Sequence, residues 1–164
     1  MKIKPSFTNI SILGLVLALI IFCGYLRDYL FININIQLVH LYYGHDYAKV
    51  NSSLDFLTQL SYNNLLWLKW ILTAVFTIIY LLITLLAIKT IYKDKNYLQW
   101  IFWGYAMTTA ISFTIYIGGA YIAYPRECFR VARTIMGVLQ SPLPLMFFIP
   151  ALTLLKMQKN RDAQ

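Results

Sequence analysis

The stretch Tyr124–Pro150, YPRECFRVARTIMGVLQSPLPLMFFIP, puts three arginines directly ahead of an apolar segment that prolines interrupt. Pro142 and Pro144 lack the N–H groups that would bond the carbonyls of Val138 and Gln140, and Pro150 does the same to Met146. Regular helix is therefore expected to fail around QSPLP, with Pro150 as a further point of interruption. Upstream, Pro125 and Glu127 suit the first turn of a helix, because proline loses nothing there and a carboxylate meets the positive end of the helix dipole. With helix starting near Pro125, Arg126, Arg130, Arg133, Gly137 and Gln140 follow at spacings of four, three, four and three. One polar face then runs from the arginines to the proline break.

The surrounding chain identifies the solvent that this segment meets. Of 164 residues, 60% are hydrophobic and only 12% charged, against roughly 25% charged residues in a soluble domain. Four apolar runs approach the roughly 20 residues that a helix needs to cross a bilayer: about 9–26, 65–88, 98–124 and 134–155. The expected fold is all-α, a single-domain integral membrane four-helix bundle over residues 1–164 with a proline-broken fourth helix. A signal peptide is disfavoured because no small-x-small cleavage site follows the first run. A lipoprotein signal fails because bulky Phe22 precedes Cys23. The net charge of +8 sits in short clusters between the runs, which leaves no basic domain for nucleic acid and reads as topology and lipid contact. Lys2, Lys4, Lys89, Lys93, Lys95, Lys156, Lys159 and Arg161 fall on one side; Arg27, Lys49, Arg126, Arg130 and Arg133 fall on the other. The positive-inside rule then predicts both termini in the cytoplasm, with the arginine cluster pulling the other way.

Aromatic residues bracket the runs at headgroup depth: Trp67 and Trp70, Tyr97, Trp100 and Trp103, Tyr121 and Tyr124. The outer loop, residues 27–64, alternates as a strand would over Ile32–Ile36, yet Phe31, Ile34, Leu38, Leu41 and Tyr42 also fit one helical face. An interfacial amphipathic helix is expected, since a lone strand would leave backbone groups unpaired near lipid. Lys69, Thr73, Thr77, Tyr80 and Thr84 share one face of the second run. Gly104, Thr108, Ser112, Gly119 and Ala123 form a small-residue stripe on the third. The two stripes are expected to pack together.

The candidate partner- or anion-binding residues are Arg126, Arg130, Arg133, Gln140, Ser141, Arg27 and Lys69, with the helix break at Pro142, Pro144 and Pro150. Guanidinium groups fit carboxylates and phosphates through paired, charge-assisted bonds. The competing readings are that the arginines pair with Asp28, Asp46, Asp55 or Glu127, or touch headgroups, and that Lys69 snorkels to the membrane surface. Catalytic chemistry is thin. Cys128 with His40 or His45 lacks a recognisable orienting residue, and His40, His45 and Asp46 match no established zinc spacing. A disulfide between Cys23 and Cys128 is open, though spans hold free cysteine readily. No metal, cofactor or catalytic residue is expected.

FRVARTIMGVLQSPLPLMFFIPALTLLKMQ, with LRDYLFININIQL and LLWLKWILTAVFTIIYLLITLLAI, resembles the exosortase X- and F-associated small membrane proteins of Bacteroidetes. The resemblance extends from about Arg27 to Lys156. It rests on the Arg-Asp pair after the first run, an arginine before the fourth, and the Gln-Ser-Pro and Ile-Pro-Ala signatures. It implies a non-enzymatic accessory or docking subunit of an envelope protein-sorting system in the bacterial inner membrane, partnered by an exosortase-like transpeptidase. Arg27, Asp28, Arg133, Gln140, Ser141, Pro142 and Pro150 would be the family positions. The transpeptidase itself is not matched, because ECFRVAR around Cys128 departs from its small-residue cysteine motif. The rival class is a small transporter or a membrane enzyme acting on an anionic lipid-linked substrate.

Overall fold

The computed structural model describes residues 7–44, 50–92, 95–121 and 125–162. Of the residues weighed above, Lys2, Lys4, His45, Asp46, Lys49, Lys93, Ala123 and Tyr124 lie outside the described residues. Five α-helices follow in order: α1 (Phe7–Tyr43), α2 (Tyr62–Tyr92), α3 (Lys95–Tyr121), α4 (Pro125–Leu139) and α5 (Leu143–Asp162). A 3-10 helix, Ser52–Gln59, lies between the first two. α1, α2 and α3 are each long and apolar enough to cross a membrane, and α4 with α5, bent by 63°, makes a fourth span if the pair is one. The chain is thus an all-helical, multi-pass membrane protein. Leu17, Ile21, Ile71, Leu82 and Phe113 are exposed on the three long helices, as expected of helices that are apolar all round and have lipid as solvent.

The described chain resolves into two compact units rather than one, Met1–Ile20 with Thr77–Gln164, and Ile21–Phe76. In the second unit, Ile34 and Leu38 of α1, Leu54 and Leu57 of the 3-10 helix and Leu65 of α2 form a buried cluster. Its interior also holds polar groups. Buried Asn33 donates from Nδ2 to Tyr29 O (2.8 Å) and accepts the Asn51 N–H at Oδ1 (2.8 Å). Asn51 in turn caps the 3-10 helix by accepting the Ser53 N–H (3.1 Å). In the first unit, Ile88, Ile101, Tyr105, Leu139 and Leu152 form the cluster that joins α2, α3, α4 and α5.

The expected interfacial helix after the first span is not a separate element. α1 runs unbroken for 37 residues, which at 1.5 Å per residue is about 55 Å, longer than a whole bilayer of about 40–45 Å. Two physical reasons account for it. No glycine or proline lies between Tyr25 and Tyr43, and the charges that suggested a boundary neutralise each other on the helix, Arg27 pairing with Asp28 at 2.7 Å. α1 stops where glycine allows it: Gly44 takes φ +68, and its N–H reaches His40 O (2.9 Å), a left-handed C-terminal cap.

The break between α4 and α5 falls where the prolines place it. Gln140 N–H makes the last α-type bond, to Met136 O (3.1 Å), and Ser141 N–H turns tighter, to Val138 O (3.2 Å). The carbonyl freed by Pro142 is satisfied locally, because Ser141 Oγ–H also donates to Val138 O (2.6 Å). The same oxygen accepts the Leu143 N–H (3.2 Å) as α5 begins. Pro144 sits in the first turn of α5, where a missing N–H costs little. Pro150 corrects the expectation, since it lies inside α5 and the helix continues through it. One lost donor in a packed helix is tolerated, whereas Pro142 and Pro144 remove two donors within three residues. Beside Pro150, the Ile149 carbonyl receives Tyr92 Oη–H (2.7 Å) and Thr153 Oγ–H (2.8 Å).

Candidate functional site

The orientation of the arginines is set by how α4 meets α3. A Cβ at Gly119 would overlap Cys128 Cβ, so only glycine permits this approach. One turn further along, Tyr116 and Phe129 place their rings 5.8 Å apart. Deeper still, Ser112 Oγ–H donates to Ala132 O (2.9 Å) and Tyr105 Oη–H to Leu139 O (3.4 Å). α3 and α4 thus stay in contact over most of the length of α4. The small stripe of α3 therefore serves α4, and at Gly104, where a Cβ would stand 3.1 Å from Phe148 Cζ, it serves α5. This corrects the expected pairing of the second and third spans through that stripe. α2 meets α3 through larger groups, with Thr84 and Tyr105 hydroxyls 3.1 Å apart.

With Ala132 and Leu139 buried against neighbours, the opposite side of α4 is left exposed, and it carries Arg126, Arg130 and Arg133. Glu127 pairs with Arg130, whose side chain nevertheless stays 75% exposed, so this pair contributes little to stability. No carboxylate pairs with Arg126 or Arg133 among the described residues. Three cations thus share one face with a single neighbouring anion, on a helix whose other face is fixed by close packing. Chemically, such a face can take carboxylates or phosphates in fork-like geometry. Cys128 does not belong to this face, being packed at the Gly119 contact, and both cysteines are free thiols.

The other sequence candidates are engaged within the fold. Gln140, only 5% exposed, donates from Nε2 to Thr77 Oγ1 (2.9 Å). Ser141 uses its hydroxyl on both sides of the break. Lys69, expected at the headgroups, is half-buried and donates to Asn35 Oδ1 (2.7 Å). Arg27 pairs with Asp28. The structure therefore keeps Arg126, Arg130 and Arg133 on one exposed face and gives Gln140, Ser141, Lys69 and Arg27 partners in their own surroundings.

Two sets of residues have packing roles that the sequence did not single out. Buried Asn33 and Gln37, with half-buried Asn35 bonded to Lys69, supply polar groups inside the second unit; their signal is three amides within five residues of an apolar run. Cys128 and Ala132, four apart and small, mark the α4 side of the Gly119 contact. Among the described residues no group of three His, Cys, Asp or Glu side chains could hold a metal ion. Compared with known proteins, the chain matches no family model, no curated protein and no solved structure.

Proposed function

We propose that this chain is a non-enzymatic docking subunit of a bacterial inner-membrane protein-sorting assembly, in which α4 engages acidic groups of a membrane-embedded partner. The observation that carries the reading is the exposed cationic face of α4, with Arg126 and Arg133 lacking any carboxylate partner among the described residues. The helix that carries the arginines is fixed by its packing on α3, so binding need order only their side chains, and the planar fork favours a carboxylate or phosphate that approaches in register. The exosortase-like identity of the partner rests on the sequence resemblance. Both termini are cytoplasmic in this reading and the arginine face lies outside, as the lysine-rich ends and hairpin favour.

A transporter or an enzyme for a lipid-linked anion is less well supported. Its recess would need Gln140 and Ser141 turned toward a ligand, whereas both direct their polar atoms into the fold.

Co-purification from native membranes tests the reading. Arg133→Lys keeps the charge and loses the fork, so recovery of a stoichiometric membrane partner should fall roughly ten-fold, about 1.4 kcal/mol, and Arg133→Ala should fall at least as far. Native recovery and native abundance for the Lys and Ala forms of Arg126, Arg130 and Arg133 would overturn it. Reporter fusions at Asn51 and Asp94 check the orientation, with a cytoplasmic signal at Asn51 placing the arginines on the wrong side.

A further inference from the structure

We propose that the groove between the end of α2 and the start of α3 is a binding site for one acidic glycerophospholipid. The groove offers about 660 Å³ and is broadly open to its surroundings. Its polarity is graded along its length. Lys89, in the last turn of α2, and Gln99, near the start of α3, are its two polar lining residues, and their register on the two helices sets them, with Leu98, toward the C-terminal end of α2 and the N-terminal end of α3. Leu85 and Leu86 lie about one turn deeper on α2, and Phe102 and Trp103 about one turn deeper on α3, or ~5 Å at the pitch of a helix. A charged mouth above an apolar trough has the polarity of a phospholipid.

Charge selects the occupant. Lys89 is exposed, and among the described residues no carboxylate pairs with it. A neighbouring apolar helix would cover Leu86, Phe102 and Trp103 but would leave that ammonium group unanswered. A neutral zwitterionic lipid offers the phosphate together with a competing cation, whereas an acidic headgroup offers net negative charge, worth a several-fold preference for a lysine at the membrane surface. The site does not depend on the arginines of α4 or on the docking reading.

The test uses the full chain with Trp103 as sole tryptophan (Trp67→Phe, Trp70→Phe, Trp100→Phe), reconstituted with phospholipids brominated on the acyl chains. Quenching of Trp103 should report about five-fold tighter occupancy by phosphatidylglycerol than by phosphatidylcholine. Lys89→Gln should bring the two lipids close to equal while leaving phosphatidylcholine quenching intact. Leu86→Phe, which fills the trough, should weaken quenching by both. Equal quenching by the two lipids before substitution, or an undiminished preference in Lys89→Gln, overturns the proposal. Mass spectrometry of lipid retained by the unsubstituted protein from an equimolar mixture gives the same decision without the tryptophan changes. Phosphatidylglycerol enrichment that Lys89→Gln abolishes supports the site, and equal retention defeats it.

Discussion

The unit Ile21–Phe76 and the α3–α4 pair use polar residues in opposite ways. In the first, amides and a lysine turn inward: Asn33 joins α1 to Asn51, and Lys69 meets Asn35. In the second, the close approach is made by small residues, Gly119, Ser112 and Ala132, and the cations of α4 face out. Inward polar groups replace hydration that the fold has removed, so their loss is felt as instability. Outward cations keep their solvation in the isolated chain, so their loss should be felt only where something binds. Burial and hydrogen bonding, more than residue type, thus separate a structural charge from an available one.

The largest effect should come from the α3–α4 contact. Gly119→Leu forces the helices apart and is expected to cost about 3 kcal/mol or more, read as loss of monodisperse protein and a lower Tm in detergent. Gly118→Ala, where a Cβ meets nothing within 4 Å, should be neutral or slightly stabilising. Gly119→Ala should also destabilise, because its Cβ overlaps that of Cys128, and adding Cys128→Gly should recover much of that loss; no recovery would mean that the overlap at Cys128 is not what limits the approach.

Asn33→Leu should follow, at about 1–3 kcal/mol, since it strands the Asn51 N–H and the Tyr29 carbonyl loses its side-chain donor. Hydrogen exchange should rise over residues 50–60 and stay unchanged over α4. Exchange that rises equally in α4 would erase the contrast between the two regions. Smaller again, Ser141→Ala should cost roughly 1 kcal/mol, with the loss confined to the end of α4 and the start of α5. Smallest of all on stability are Arg126→Ala and Arg133→Ala, expected within about 0.5 kcal/mol. A Tm shift as large as that of Asn33→Leu would make the arginine face structural and remove the contrast.

Much of this architecture could be read in the sequence because membrane spans are local objects. Hydrophobic length places α2 and α3 to within a few residues, and Pro142 with Pro144 places the break at Gln140–Pro142, since a missing N–H acts on its own helix wherever that helix packs. Pro125 and Glu127 likewise mark the start of α4. The site was legible in part: the spacing of Arg126, Arg130 and Arg133 puts them on one face, but spacing also included Gln140, which Thr77 captures. Arg27 looked like the end of a span until Asp28, on the same helix, neutralised it.

What the sequence determined by itself is therefore whatever a segment settles with its own backbone and the bilayer: helix, length, start and break. Only the tertiary structure decided which neighbour each face serves. Gly119 reads the same whether it admits α2 or α4, and Lys69 reads the same whether it reaches water or Asn35, because a side chain's periodicity specifies a direction around its helix and not what stands there. Those choices arise from steric fit and hydrogen-bond satisfaction between residues far apart in the chain, 34 positions for Lys69 and Asn35 and 63 for Gln140 and Thr77, and no local pattern encodes them.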